Sequence, residues 1–499
     1  MADYKKYILL IVILITSGFY CFYFFNGYLG LSDGNDYAGL ARSIIRGEGF
    51  SLGHLYPLAF SFGSDIPRPN NLWPPAYPVY LAIWFLLFGM SDTTILGAIV
   101  FSVWLFIMAV YFVIRKIAGA DWAILGAALI GLNQSMLSTA LEGSPEPLTA
   151  ALFLFSLYPL VSGATISKTM LSAFLFGLAV LTRYQMIALA IPVLIFLVDR
   201  RSKMMISWAA VMLLVLSPWL IRNYVVFGNP IFTLQAYGEF TKSMGHLGYY
   251  YYTYRSFTPM SFAYAVTHFP FFVFKKFVAG ILFFSWWTII VLNFFSAVPF
   301  VFAVIWRKYL GSLQKRFIGF GVTSLILLIA LSSFNGIHLR HLLNVQGVLV
   351  VLVVLGLIRF RENMPVLRKR YLWILAILFL LLPFRFPFPE MELKRYADRI
   401  DNNKEAYKVI MEKTEPGAVI ISDASDAVWW YCNRSSIWIP VIYGDLKTLL
   451  EIQDADYIYF ENSPDYLGRL KNDELLDFMR TTSIVEGNPL GWSLYKINR

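Results

Sequence analysis

Only 14% of the 499 residues are charged, whereas 58% are hydrophobic, and the formal net charge is +10. Soluble domains carry about 25% charged residues, so this composition excludes an ordinary soluble protein. The basic excess does not indicate nucleic-acid binding, because most lysines and arginines lie in short clusters between apolar runs, the positive-inside pattern of membrane proteins. Cys21 and Cys432 lie near opposite ends of the chain, and we expect no disulfide between them.

Apolar runs of about 20 residues, the length that crosses a bilayer, recur along the chain. The first follows a short charged N-terminus, and because no convincing cleavage site precedes Asn26, we expect a retained helix and not a signal peptide. The pattern predicts a polytopic α-helical membrane protein with about eleven transmembrane helices. The predicted spans are residues 7–25, 94–114, 121–139, 146–162, 170–183, 184–198, 204–221, 278–305, 317–334, 341–358 and 371–388.

The proline-rich segment at residues 74–90 is apolar enough to span but opens with three prolines. If it spans, the pair Arg115 and Lys116 falls outside the cell; if it does not, all basic clusters fall inside. The second arrangement obeys the positive-inside rule, so we expect this segment at the outer interface. The N-terminus is then cytoplasmic, and the protein resides in the plasma (inner) membrane.

The C-terminal tail differs in composition from the rest of the chain. Runs at residues 417–422, 455–460 and 492–497 read as strands, and residues 446–452 and 465–479 read as helices. This alternation predicts a small α/β soluble domain on the outer, periplasmic face at residues 390–499.

Two carboxylates, Asp33 and Asp36, follow the first span and precede a helical run. Carboxylates beside a bilayer are costly, so they indicate function. One of them can act as a general base that takes a proton from an incoming hydroxyl. The alternative is structural, with Asp33 as N-cap and Asp36 in the first helical turn. Both readings can hold, one residue each.

Three isolated arginines, Arg183, Arg222 and Arg340, lie at the outer ends of different spans, against the usual charge bias. Each could snorkel to lipid headgroups. Together they indicate a shared phosphate site, because the guanidinium donates two parallel hydrogen bonds and stays charged.

Further polar residues lie on the same predicted face. Glu142 and Glu146 are candidates for sugar or acceptor contacts, although Glu146 also suits a helix start after Pro145. His338 and His341 flank Arg340 and are further contact candidates. They lack a carboxylate nearby in sequence, so we predict no metal site and no required cofactor, while a divalent metal stays compatible with the sequence.

These motifs resemble, in order, those of the GT-C superfamily of polyprenyl-phosphate-dependent glycosyltransferases, especially the protein mannosyltransferase and aminoarabinose lipid A transferase branch. The similarity covers residues 1–360. The matching elements are Asp33 with Tyr37, Ala41 and Gly47 to Phe50; Pro74 to Pro78; Phe88-Gly89; Ser144 to Pro147; Leu181 to Arg183; Pro218 to Asn223; and the Arg340 element.

The resemblance implies an inverting transfer of a hexosyl or pentosyl group from an undecaprenyl- or dolichyl-phosphate-linked donor to a hydroxyl of a glycan, lipid or protein. Asp33 aligns best with the catalytic aspartate of the family, Asp36 is the alternative, and Tyr37 joins the donor or acceptor contacts. It implies a catalytic transmembrane domain at residues 1–389 with outer loops at 26–92, which carry juxtamembrane helices, and at 222–277.

The main competing hypothesis is a transporter or flippase of a lipid-linked glycan intermediate. Such a protein is expected to carry ionisable groups near the bilayer midplane or inverted repeats, and neither is evident in the sequence. A non-catalytic assembly partner is the third reading.

Overall fold

The chain is described by a computed structural model in which most of the helical region and the C-terminal tail are defined. The residues that the structure describes are 3–25, 29, 32–63, 65–163, 165–198, 202–238, 262–291, 294–334, 340–363, 403–440, 442–461, 467–468, 470–488 and 491–498.

Sixteen α-helices precede the tail in the described part of the chain. They are α1 Asp3–Phe24, α2 Ser32–Ile45, α3 Ala76–Phe88, α4 Asp92–Ala118, α5 Ala120–Gly131, α6 Gln134–Leu141, α7 Glu146–Val161, α8 Ile166–Thr182, α9 Ala190–Leu197, α10 Ser202–Phe227, α11 Gln235–Gly238, α12 Phe262–His268, α13 Pro270–Val291, α14 Phe294–Ile305, α15 Ser312–Phe334 and α16 Arg340–Asn363. Short 3₁₀ helices occupy Pro57–Phe62, Tyr184–Leu189 and Arg307–Tyr309.

Within the described residues, five helices are long and apolar enough to cross a membrane, and the number rises to seven if two bent pairs each count as one span. The five are α1, α4, α10, α15 and α16, and the bent pairs are α5 with α6 and α12 with α13. These helices make the chain a multi-pass membrane protein. The predicted span at residues 371–388 lies outside the described residues, so the total of about eleven stays a prediction.

Several predicted spans are interrupted. The span at residues 121–139 is two helices that meet at 49°, and residues 184–198 begin with a 3₁₀ segment. The span at residues 278–305 is divided between α13 and α14. The segment at residues 74–90 contains only the 13-residue helix α3, which is shorter than the roughly 20 residues of a full span.

Helix α16 forms the centre of the bundle. Its most apolar stretch is 94% buried by protein, against 22% for α1 and α10. It packs on α4, α7, α14 and α15, while α4 packs on α5 and α7, and α8 packs on α7 and α10. Since α16 begins at Arg340, the first turn of the central helix delivers this arginine to the end of the bundle.

The first loop folds against the tail. Three short strands follow α2: β1 Ser51–Leu52, β2 His54–Leu55 and β3 Arg68–Pro69. Strands β1 and β3 pair with each other, whereas β2 joins a sheet built mainly from the tail.

The described tail is an α/β structure. Its strands are β4 Val419–Ser422, β5 Ser435–Trp438, β6 Tyr457–Phe460, β7 Thr482–Gly487 and β8 Ser493–Ile497. Its helices lie at residues 403–413, Ser425–Ala427, Tyr443–Ile452 and Asn472–Thr481, with a π-turn at Val428–Cys432.

The sheet has the order β2-β5-β4-β6-β8-β7, with the first four strands parallel and the last two antiparallel to their neighbours. His54 pairs with Ser436 and Leu55 with Ile437, so a strand from the first loop forms one edge. The predicted strands near residues 417, 455 and 492 and the helix near 446 correspond to β4, β6, β8 and Tyr443–Ile452. Cys21 and Cys432 are both free and buried.

Candidate active site

A chain of alternating charges joins the ends of four helices. Arg340 Nη2 lies 2.6 Å from Asp33 Oδ2, and its Nε lies 4.0 Å from Glu146 Oε1. Arg183 Nη2 lies 2.5 Å from the same Glu146 oxygen. Asp33 is in the first turn of α2, Glu146 begins α7, Arg183 follows α8 and Arg340 begins α16. Residues about 300 positions apart in the chain therefore form one cluster.

Two glycines allow these helix ends to approach. A Cβ atom on Gly34 would lie 2.5 Å from the carbonyl oxygen of Glu142, and one on Gly143 would lie 2.9 Å from the Cα of Gly34. Gly143 has φ +75°, a conformation that L side chains rarely adopt. The turn that carries Asp33 therefore packs backbone against backbone on the loop that leads to Glu146.

The cluster retains unused hydrogen-bonding capacity. Among the described residues, no hydrogen-bond partner is found for Glu146 Oε2, Arg183 Nε, Tyr37 Oη, Ser144 Oγ or Tyr77 Oη, although all of these atoms are buried. Buried polar atoms are nearly always hydrogen-bonded in folded proteins. Several unpaired polar atoms beside an ion-pair network are expected where a bound polar ligand supplies the missing hydrogen bonds.

Tyr37 lies at the wall of this cluster. Its ring packs against Trp73 at 5.0 Å and edge-to-face against Tyr77 at 5.1 Å. Burial raises the pKa of the Tyr37 hydroxyl, and Asp33 and Glu146 raise it further, while Arg183 and Arg340 oppose them. The hydroxyl therefore stays protonated and can donate a hydrogen bond.

Asp36 has a different environment from Asp33. It is fully buried, and three side chains surround it: His54 Nε2 lies 2.5 Å from Oδ1, Trp73 Nε1 donates to Oδ2 at 2.7 Å, and Tyr56 Oη donates at 3.3 Å. Asp33 keeps 13% of its side chain exposed. The two carboxylates are therefore distinct: one is enclosed by donors, and the other faces the arginines at the opening of the bundle.

The structure does not place Asp33 at the N-cap of α2, which the structural alternative predicts. Helix α2 begins at Ser32, which places Asp33 inside the first turn and Asp36 one turn later. A carboxylate in the first turn still interacts favourably with the helix dipole.

Arg222 lies in another set of contacts. It donates to the carbonyl oxygen of Asn70 at 2.7 Å and to Asn223 Oδ1 at 2.9 Å, and its guanidinium lies 4.8 Å from the Trp219 ring centroid. Trp219 donates to Tyr184 Oη, next to Arg183 in the chain. The structure brings Arg183 and Arg340 together, whereas the described contacts of Arg222 are with the first loop and with its own helix α10.

The remaining predicted contacts lie around the network. Glu142 is part of the loop that packs on Gly34 and influences Arg340 electrostatically. His341 is buried in the first turn of α16, and His338 lies outside the described residues. Within the described ranges, no group of three or more His, Cys, Asp or Glu side chains is arranged to hold a metal.

A second buried cluster was missed by sequence reasoning. Asn35 Nδ2 donates to Asp426 Oδ2 at 2.8 Å, and Arg42 donates to the carbonyl oxygens of Trp429 and Trp430 at 2.7 and 2.8 Å. The only signal in the sequence was the alternation of polar residues along α2. Their partners are nearly 400 residues away and could not be anticipated from it.

Comparison with known proteins supports the architecture. A family model described as dolichyl-phosphate-mannose-protein mannosyltransferase matches residues 73–221. No curated protein matches the chain significantly.

Solved structures match over nearly the whole chain. ArnT from Cupriavidus metallidurans, bound to undecaprenyl phosphate, has a TM-score of 0.62 at 12% identity over 99% of this chain and 98% of its own. AglB from Archaeoglobus fulgidus, an archaeal oligosaccharyltransferase in complex with an inhibitory peptide and a dolichol-phosphate, has a TM-score of 0.53 at 12% identity over 93% of this chain and 70% of its own. The oligosaccharyltransferase of Archaeoglobus fulgidus in complex with Zn and sulfate has a TM-score of 0.55 at 12% identity over 98% and 73%. The family model covers only part of the chain, and these shared architectures show that the chain has the same fold as ArnT and the two oligosaccharyltransferase structures.

Proposed function

We propose that this protein transfers a sugar from a polyprenyl-phosphate-linked donor to an acceptor hydroxyl at the outer face of the membrane, with inversion at the anomeric carbon. Asp33 is the general base, and Arg340 and Arg183 bind the donor phosphate. The observation that carries the proposal is the contact of 2.6 Å between Arg340 and the partly exposed Asp33, at the end of a membrane-spanning bundle.

Asp33 is assigned as the base in preference to Asp36 because an acceptor hydroxyl can reach it more easily. A base must come within hydrogen-bond distance of the hydroxyl proton that it accepts. Asp36 is fully buried and already accepts from Trp73 and Tyr56, so an acceptor hydroxyl would have to displace these donors to reach it. Asp33 retains exposed surface.

The reaction balances on these residues. The acceptor oxygen forms a bond to the anomeric carbon, the bond from that carbon to the phosphate oxygen breaks, and its electron pair leaves with the polyprenyl phosphate. The hydroxyl proton passes to the Asp33 carboxylate. A phosphate that approaches Arg340 competes with Asp33 for the guanidinium, which frees the carboxylate when the donor is bound. The arginines then stabilise the charge that develops on the leaving phosphate.

The other groups of the cluster have roles consistent with this reaction. The Tyr37 hydroxyl donates to a phosphate or sugar oxygen, and Glu146 holds the two arginines side by side through its Oε1 atom. Glu142 acts electrostatically on Arg340, and His341 follows Arg340 in the first turn of α16. In this scheme the arginines neutralise the phosphate charge, so the reaction requires no metal. Adding a chelator to the transfer assay tests whether a divalent cation is needed.

The test is a transfer assay with purified full-length protein in nanodiscs and a panel of undecaprenyl-phosphate-linked sugars. We expect transfer by the wild type and a loss of at least about 100-fold in Asp33→Asn, with undecaprenyl phosphate still bound. Arg340→Ala is expected to weaken binding of undecaprenyl phosphate about tenfold or more.

The matched control is Asp121→Asn, which changes an exposed carboxylate paired with Lys6 and should leave both readouts unchanged. Retained transfer in Asp33→Asn would overturn the base assignment. A wild-type protein that neither binds undecaprenyl phosphate nor transfers any sugar of the panel would overturn the function.

A further inference from the structure

Helix α2 is held by the tail at both of its ends. Asp426 accepts from Asn35 in the first turn, and the carbonyl oxygens of Trp429 and Trp430 accept from Arg42 in the last turn. The three acceptors belong to one continuous segment, the helix Ser425–Ala427 and the π-turn that follows it. This segment is called the clamp.

The clamp is itself fixed in place. Trp430 Nε1 and Tyr431 Oη both donate to Asp92 at the start of α4, each at 3.1 Å. Arg434 donates to the carbonyl oxygens of Cys432, Met411 and Thr414 within the tail. The clamp therefore connects the transmembrane bundle, the first loop and the sheet. A shift in the position of the clamp would move α2.

The contact of Asn35 with Asp426 is the part nearest to the candidate base. Asn35 is 2% and Asp426 is 3% exposed, so water cannot replace either partner easily. Asn35 lies two positions after Asp33 in the same helical turn. Asn35 Oδ1 has no hydrogen-bond partner among the described residues. A carboxyl group that carries a proton can both accept from the amide nitrogen and supply a donor to the amide oxygen.

We propose that Asp426 is a positioning residue for the transfer reaction, because through Asn35 it holds the first turn of α2, and with it the Asp33 carboxylate, against Arg340. The expected effect of Asp426 on the rate of transfer rests on the proposed function. Its expected effect on the position of α2 rests on the geometry alone. It makes the C-terminal region part of the catalytic apparatus without placing any of its residues in contact with substrate.

Asparagine is the informative replacement at this position. Like a protonated aspartate, an amide accepts through oxygen and donates through nitrogen, so Asp426→Asn can form a paired contact with Asn35. Alanine can do neither and leaves Asn35 Nδ2 buried without its acceptor, at the cost of an unsatisfied polar group.

The experiment combines hydrogen exchange with kinetics on the full-length protein. We expect Asp426→Ala to increase amide exchange at residues 32–40, to lower kcat about tenfold and to leave the donor KM unchanged, since a small displacement of a reacting group is costly. Asp426→Asn should match the wild type in both. Arg46→Ala is the matched control, because it removes an exposed contact of 2.8 Å with Asn433 at the same interface.

Each outcome of the experiment either supports the proposal or overturns it. Unchanged exchange at residues 32–40 in Asp426→Ala, or equal losses in Asp426→Asn and Asp426→Ala, would overturn the proposal. If Asp426→Ala fails to fold, Asn35→Ala removes the same contact from the other side and is read in the same way. Exchange reports on the contact even if the wild type transfers no sugar of the panel, so a failure of the positioning role is distinguishable from a failure of the proposed function.

Discussion

Arg340 lies between two carboxylates: its Nη2 atom is 2.6 Å from Asp33 Oδ2 and its Nε atom is 4.0 Å from Glu146 Oε1. The closer partner is the partly exposed carboxylate, and the farther one already binds Arg183. Because Glu146 holds both arginines from the buried side, a phosphate can replace Asp33 on Arg340 without dispersing the two positive charges. This asymmetry is consistent with the proposed roles, in which Glu146 supports the arginines and Asp33 is the base.

Replacing Asp36 should lower the stability of the fold more than it lowers donor binding. Asp36→Asn removes a charge that His54, Trp73 and Tyr56 surround, and it turns one acceptor oxygen into a donor that faces other donors. Breaking such a buried set costs about 3–5 kcal/mol. We expect a strongly lowered melting temperature and, in the protein that remains folded, binding of undecaprenyl phosphate close to that of the wild type.

Asp33→Asn is the natural comparison: we expect it to lose transfer but to lower the melting temperature less than Asp36→Asn, because Arg340 keeps Glu146 nearby when the contact with Asp33 is weakened. If Asp36→Asn melts like the wild type yet is inactive, Asp36 and not Asp33 is the base.

Removing the Tyr37 hydroxyl should separate binding from folding. The atom is buried and has no hydrogen-bond partner in the described part of the chain, so Tyr37→Phe loses no internal contact. We expect an unchanged or slightly raised melting temperature, together with transfer or donor binding reduced about tenfold.

Tyr80→Phe serves as the contrast. Its hydroxyl donates to the carbonyl oxygen of Ala98 at 2.7 Å, so its loss should destabilise by about 1 kcal/mol. Full donor binding and transfer in Tyr37→Phe would remove the hydroxyl from the site.

The residues of the ion-pair network are easier to predict from the sequence than the contacts that support it. Charge bias and span length placed Asp33, Arg183 and Arg340 on one face, and the structure brings all three into one network with Glu146. Such residues are readable because each is an exception to the apolar pattern around it. The same signal predicts Arg222 as a member of this group, yet its described contacts are a carbonyl oxygen of the first loop and, within α10, the Asn223 amide oxygen and the Trp219 ring.

The support of the site depends on long-range pairing that local periodicity does not encode. Strand β2 has two residues, too few for an alternating pattern, and it pairs with β5 across almost the whole chain. The pairing of β2 is set by tertiary contacts, which override weak local preferences. The break between α5 and α6 has a local cause instead: Asn133 is the N-cap of α6 and its side chain accepts from Met136 N, a signal that apolar content alone does not register.

Filling the space at Gly39 should loosen the clamp. A Cβ atom there would lie 2.2 Å from Trp429 Cζ3, so neither α2 nor the indole can stay in place. We expect Gly39→Ala to destabilise by about 1–3 kcal/mol and to raise protease sensitivity of the tail.

Gly319→Ala is the matched helical control, because nothing lies within 4 Å of the added atom in α15. It should leave stability unchanged or raise it slightly, as alanine favours helix over glycine. Equal melting temperatures for Gly39→Ala and wild type would show that the tryptophan contact is not tight.

The stability of the clamp should depend on pH through Asp426. Burial raises its pKa to about 7, Asp36 on α2 adds to the effect and Glu461 after β6 contributes, whereas the hydrogen bond from Asn35 and the charge of His54 oppose them. The unfolded value is about 3.9. The folded form therefore binds more protons than the unfolded form between about pH 4 and pH 7, so this group's contribution to stability is present at low pH and is lost as the pH rises through about 7.

Asp426→Asn removes that titration while keeping the amide contact. We expect its melting temperature to exceed that of the wild type by about 3–5 °C at about pH 8 and to differ little at about pH 4. Thermal unfolding of both proteins at the two pH values checks the sign, with Asp121→Asn as the control for an exposed carboxylate. A difference of the same size at both pH values would mean that Asp426 keeps one protonation state throughout. In that case Asn35 would face a permanent carboxylate, and the amide oxygen would need a donor other than Asp426.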